Sequence, residues 1–152
     1  MTDIDIGFGK SGRRAFGFDD IAILPSRRTR DPEDVDITWQ IDAYRFELPL
    51  MAAAMDGVVS PDTAIAVGRL GGLGVLNLEG LWTRYEDADA VLDEISTLPA
   101  DKATRRMQEL YGEPVKPELI TQRILEIKDA GVVSCASVTP QRTEAYLEHI
   151  LA

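Results

Sequence analysis

Short apolar runs alternate with amphipathic stretches along the chain, and the alternation repeats. Residues 48–54, LPLMAAA, are almost entirely apolar and read as a short buried strand. A helix follows over residues 60–70, with Ser60 as its cap and Pro61 at its first position, and Gly71 and Gly72 stop it. Residues 73–78 are apolar again, and Glu79-Gly80 turns the chain. Thr83 and Glu86 then stand at capping-box spacing ahead of Tyr85, Ala88, Leu92 and Ile95 on one helical face. STLPADKATRRMQELYGEPVKP, residues 96–117, interrupts the rhythm. Its middle has helical composition and its ends carry Pro99, Pro114 and Pro117, so it reads as a surface insertion with a short helix. Pro117 opens an amphipathic helix carrying Leu119, Ile120, Ile124 and Ile127. Gly131 ends that helix, and Val132 to Val138 runs as a strand into a helix start at Thr139-Pro140.

Strands without polar alternation are buried on both faces, the mark of a parallel sheet covered by helices. The fold class is therefore α/β, with an N-terminal arm and loop over residues 1–47 and about three βα units over residues 48–152. Three parallel strands cannot close a barrel. As an open sheet they leave a buried-type edge such as Val132 to Val138 unpaired, and the sequence stops at HILA within an amphipathic pattern. The expectation is a part of a larger fold; a small self-sufficient α/β domain is the alternative.

Composition narrows the chemistry. The 152 residues carry a net charge of −10, which argues against a nucleic-acid surface, although a single mononucleotide needs only backbone amides and a few local donors. No early apolar run suits a signal peptide or a membrane span, so a cytoplasmic protein without membrane contact is expected. Cys135 is the sole cysteine and His149 the sole histidine, which leaves no disulfide framework, no Cys/His zinc site and no Cys-His or Ser-His pair as the expected chemistry.

Several local features have plain structural readings. GFGKSG, residues 7–12, lacks the glycine a phosphate-binding loop requires at position 4, which is Ile4, and no strand precedes it. The RRTR run at residues 27–30 reads as a solvated loop, with phosphate contact as the other possibility. Glu86, Asp87 and Asp89 suit the first turn of a helix. Cys135 reads as a packed residue of a strand, and His149 as a surface or interface residue.

The stretch MAAAMDGVVSP, residues 51–61, carries the sharper question. In α/β sheets ligands bind at the carboxyl ends of strands, where small residues let a substrate approach the backbone. Met55, Asp56, Gly57, Asn77, Leu78 and Glu79 all fall at such ends. Close packing of a helix is the competing explanation for the small residues.

GFDDIAILPSRRTRDPEDVDIT followed by PLMAAAMDGVVSPDTAIAVGRLGGLGVLNLEG resembles the start of the IMP dehydrogenase and GMP reductase family. Phe18-Asp19-Asp20-Ile21, Val35-Asp36-Ile37, Met55-Asp56-Gly57-Val58 and Gly71-Gly72-Leu73-Gly74 match its motifs in order and spacing, and VVSCASVTP is similar to its third barrel strand. The nearest likeness is to the branch without the inserted nucleotide-sensing CBS pair.

The resemblance implies the N-terminal part of a (β/α)₈ TIM barrel. The full-length enzyme would be an oxidoreductase of purine mononucleotides, a GMP reductase (GMP to IMP) by preference or an IMP dehydrogenase (IMP to XMP) as the near alternative. It implies NADPH or NAD as cofactor, a monovalent cation (K⁺), and a homo-oligomer, usually a tetramer. Its cysteine nucleophile belongs to a later loop, so no catalytic residue is expected in this chain, which alone should be inactive. For GMP or IMP, the resemblance assigns Ala53, Met55, Asp56 and Gly57 to the substrate side, with Met55 against the base. Ala53 replaces a serine on the phosphate side and cannot donate. Arg27, Arg28, Asn77 and Leu78 fall on the cofactor side, where a neutral Asn and Leu replace a His- or Lys-bearing phrase. A non-catalytic family member acting through protein contacts is the reading of a different class.

Overall fold

The computed structural model describes residues 3–25 and 30–151, so the Arg27 and Arg28 assignments lie outside the described residues. The chain divides into two units, Met1–Asp36 and Ile37–Ala152.

In the first unit β1 (Ile4–Gly7) and β2 (Lys10–Gly12) form an antiparallel hairpin. Contrary to expectation a strand does lead into GFGKSG, which supplies a hairpin turn with Gly9 at φ +68°, where a side chain would strain the backbone. Two single 3₁₀ turns follow at Phe18–Asp20 and Pro32–Asp34.

The second unit opens with another antiparallel hairpin, β3 (Trp39–Ile41) and β4 (Tyr44–Phe46). The hairpin belongs with the strands and helices that follow it. Its Trp39 ring lies 5.0 Å from Phe46 and donates its indole N–H to the Leu48 carbonyl at 2.7 Å.

Three parallel strands form the sheet that matters for function: β5 (Met51–Ala52), β6 (Leu73–Asn77) and β7 (Cys135–Ser137), in that spatial order. Each is shorter than its apolar run. Pairing is confined to Met51 with Leu73, Ala52 with Gly74, and Val75 to Asn77 with Cys135 to Ser137. Strict alternation sorts the side chains. Gly74, Leu76 and Leu78 are buried on one face, whereas Met51, Asn77, Cys135 and Ser137 on the other remain partly or largely accessible.

Helix α1 (Pro61–Arg69) starts and stops as its sequence dictates. The Ser60 hydroxyl accepts the Thr63 N–H at 3.0 Å, and the helix closes in a Schellman arrangement with Gly71 at φ +87° and a 3.0 Å bond from the Gly72 N–H to the Val67 carbonyl. Helix α4 (Pro117–Asp129) packs on both α1 and α5 (Pro140–Ile150). Its Ile120, Ile124 and Ile127 join Val59, Leu76, Leu78, Leu81 and Trp82 in one core.

The helix expected from Thr83 begins later, at α2 (Ala88–Thr97), with Asp87 as its cap accepting the Ala90 N–H at 3.0 Å. Thr83 is fully buried in a 3₁₀ turn, Leu81–Thr83, and its hydroxyl is committed to the Leu78 carbonyl at 2.8 Å. It is therefore a clamp on the loop after β6. Helix α2 packs on α3 (Ala100–Leu110) and on that 3₁₀ turn. Pro117–Asp129 is consequently the helix that covers the sheet between β6 and β7, and the helical excursion comprises α2 and α3 together.

Candidate functional site

Beyond the carboxyl end of β5 the chain makes a tight turn. The Met55 carbonyl accepts the N–H groups of Val58 and Val59, each at 2.9 Å, and the Met55 N–H reaches the Ala53 carbonyl at 2.8 Å. The turn displays some residues and hides others. Ala53 and Gly57 are exposed and Met55 is 54% accessible, whereas Asp56 is buried. A side chain at Gly57 would meet nothing within 4 Å, so open space lies in front of this backbone.

Asp56 is the point at which the turn is tied down. One carboxylate oxygen accepts the Leu81 N–H at 3.0 Å and the Tyr111 hydroxyl, and the other receives the Asn77 amide at 3.5 Å. Its own carbonyl accepts the indole N–H of Trp82 at 3.1 Å. A buried carboxylate is tolerable only when its lone pairs are satisfied, and here three donors converge on it. Gly80 belongs to the same knot, because a Cβ there would fall inside the Asp56 carboxylate. Burial and the neighbouring carboxylate push the Tyr111 hydroxyl well above the usual tyrosine range, which keeps it protonated and donating. Arg84 lies over the Tyr111 ring with its guanidinium carbon 5.7 Å from the centroid.

The structure thus brings Ala53, Met55, Asp56, Gly57 and Asn77 to one end of the sheet, with different duties. Met55, Ala53 and Gly57 present surface, and Asp56 and Asn77 support it. Asn77 also turns the next loop, its side-chain oxygen accepting the Glu79 N–H at 3.1 Å. Leu78 is a core residue, fully buried, with its N–H on the Ser137 carbonyl at 3.0 Å. Alternation points its side chain to the helix-covered face, so the side-chain contact with a cofactor assigned to it is not available. Glu79 accepts the Thr139 N–H at 2.7 Å and pairs with Arg142 at 3.3 Å, bracing the start of α5.

Sequence reasoning missed Leu81, Trp82 and Tyr111. No local pattern reports them: Tyr111 is 55 residues from Asp56 and follows α3, within the segment set aside as an insertion. Arg123 was likewise read only as part of a helix. It is buried and spans α4 to the preceding loop, donating to the carbonyls of Trp82 at 3.1 Å and Glu86 at 2.6 Å. His149 shares a 3.2 Å hydrogen bond with Thr121 between α5 and α4.

Cys135 is the first residue of β7 and half-buried, and burial raises its thiol pKa above the ordinary value. Its thiolate fraction at neutral pH is accordingly small. Alkylation by iodoacetamide at pH 8 is expected to run slower than for glutathione, and the difference to persist until both thiols are ionised at higher pH. A rate equal to that of the free thiol would contradict the packed reading.

Small and apolar residues lie at the carboxyl ends of the parallel strands and helices seal the reverse face, an α/β arrangement of the kind in which ligands bind beyond the strand ends. The IMP dehydrogenase / GMP reductase domain matches residues 15–136, and the chain belongs to that family. An uncharacterized oxidoreductase of Mycolicibacterium smegmatis is 41% identical over 98% of this chain and 41% of its own length. An inosine-5'-monophosphate dehydrogenase of Methanocaldococcus jannaschii is 37% identical over 65 residues, 43% of this chain and 13% of its own. Among solved structures, an IMP dehydrogenase/GMP reductase-like protein from Corynebacterium glutamicum superposes with a TM-score of 0.82 at 39% identity, covering 98% of this chain and 41% of that one. The α/β structure therefore matches part of that larger fold, and the chain spans about two-fifths of the length of the Mycolicibacterium smegmatis and Corynebacterium glutamicum proteins. No helix among the described residues is long and apolar enough to cross a membrane.

Proposed function

We propose that this chain forms the N-terminal wall of the nucleotide pocket in a nicotinamide-dependent purine mononucleotide oxidoreductase, with reduction of GMP to IMP as the reaction. The observation that supports it is the Met55–Gly57 turn, an exposed thioether beside open backbone, held from behind by a buried carboxylate at the ligand end of a parallel sheet. A thioether suits the face of a purine because it is polarizable and adapts its shape. Gly57 lets the nucleotide approach the main chain. Ala53 leaves the phosphate to groups other than its own side chain.

The chain's own residues bind and orient the nucleotide; the nicotinamide group supplies hydride chemistry when bound. Residues 77–79 do not fit a cofactor phosphate, since Leu78 is buried and Glu79 places a carboxylate there. Oxidation of IMP to XMP with NAD and water is the second reading, and the similarity to an inosine-5'-monophosphate dehydrogenase over 65 residues favours it.

The test uses the natural polypeptide that carries this sequence, assayed in K⁺ buffer by the absorbance of reduced nicotinamide. Consumption of NADPH dependent on GMP is the expected result. Formation of NADH with IMP and NAD would replace it by the second reading. No turnover and no calorimetric binding of either nucleotide would overturn the proposal.

A further inference from the structure

The segment that interrupts the βα rhythm makes a contact that a solvent-facing excursion does not need. Tyr111 follows the last residue of α3 and sends its hydroxyl to the carboxylate of Asp56, in the middle of the turn that presents Met55 and Gly57. The other ties on Asp56, from Asn77, Leu81 and Trp82, all come from β6 and the loop after it. Tyr111 alone among the described partners of Asp56 connects that turn to the helical excursion. Two further bonds fix the root of the excursion, the Tyr85 hydroxyl on the Leu110 carbonyl at 3.0 Å and the Lys116 N–H on the Thr83 carbonyl at 2.8 Å. Tyr111 is thereby held at both flanks, and Arg84 covers its ring.

We propose that Tyr111 is a positioning residue for nucleotide binding: acting through Asp56, it holds the Met55–Val58 turn in the conformation that receives the purine mononucleotide, which makes the α2–α3 excursion part of the substrate site. The inference rests on the reading of that turn as the nucleotide wall. Its physical basis is selective. A carboxylate gripped by donors on one flank only can swing with its turn, whereas donors from two separate elements fix both the side chain and the backbone behind it. Tyr111 has no route to the reacting atoms except through Asp56, so its loss should weaken capture of the nucleotide and leave the chemical step alone.

Tyr111→Phe keeps the ring beneath Arg84 and removes only the hydroxyl. In the natural polypeptide that carries this sequence, the KM for the nucleotide turned over is expected to rise about three- to tenfold, less than the full worth of one charge-assisted hydrogen bond because Tyr111 acts through Asp56, with kcat and the KM for the nicotinamide cofactor unchanged. Deuterium exchange at the Val58 and Val59 amides, which needs no nucleotide, is expected to quicken. Asp56→Asn, which keeps an acceptor for the Leu81 N–H, should move KM in the same direction by less. If the wild type turns over its nucleotide but Tyr111→Phe leaves both KM and the two amides unchanged, the inference falls and the proposed function stands. A wild type that binds neither GMP nor IMP overturns both.

Discussion

Replacing Asp56 with alanine is expected to destabilise the Ile37–Ala152 unit by about 2–4 kcal/mol, the range for leaving one buried donor and two part-buried ones without their acceptor. The substitution removes little apolar surface, so the effect is almost wholly one of hydrogen bonding. The Leu81 N–H and the Tyr111 hydroxyl would lose their shared oxygen, and the Asn77 amide its nearest one. Water cannot reach the Leu81 N–H without opening the packing of Leu81 and Trp82, both at least 95% buried. Urea denaturation followed by tryptophan fluorescence would measure the change, because the Trp82 indole is bonded to the Asp56 carbonyl and reports on the same turn. A loss below about 1 kcal/mol would mean that the carboxylate does not support the turn, since that is no more than one ordinary hydrogen bond contributes.

The second large effect concerns how closely α1 lies on the sheet. A Cβ at Gly74 would stand 2.6 Å from the Cα of Ala64 and 2.9 Å from its Cβ, so Gly74→Ala forces helix and strand apart. Overpacking against backbone cannot be relieved by a rotamer change. The expected cost is about 2–4 kcal/mol, at the upper end of what one added methyl group does to a close-packed core. Adding Ala64→Gly removes the 2.9 Å contact and leaves the 2.6 Å one, so the double variant should regain only part of the loss. Full recovery would place the conflict in the side chain alone, and no loss in the single variant would contradict the close approach.

These two positions show what could be read directly from residue order. Gly74 in an apolar run, Ser60-Pro61 ahead of a helical stretch and Gly71-Gly72 after it are local signals, and the parallel strands and α1 follow from them. The placement of Met55 and Gly57 at a strand end was legible for the same reason. Thr83 and Glu86 misled because capping-box spacing is local too, while the Thr83 hydroxyl is drawn to the Leu78 carbonyl and the true cap is Asp87. Leu78 misled because its place in the phrase says nothing about which face of β6 it occupies. Asp56 is the sharpest case. Its position just beyond a strand end was readable, but its duty depends on Tyr111, which no spacing rule connects to it.

The spatial order β5, β6, β7 is also the order of synthesis. Each strand emerging from a ribosome finds its partner already laid down, and no earlier segment has to be reopened to admit it. Met51 pairs with Leu73 across a short loop closed by α1, so the first ring to shut is a small one and its entropic cost is low. The sheet can therefore grow one edge at a time, with β7 joining last onto an edge that β6 has already formed.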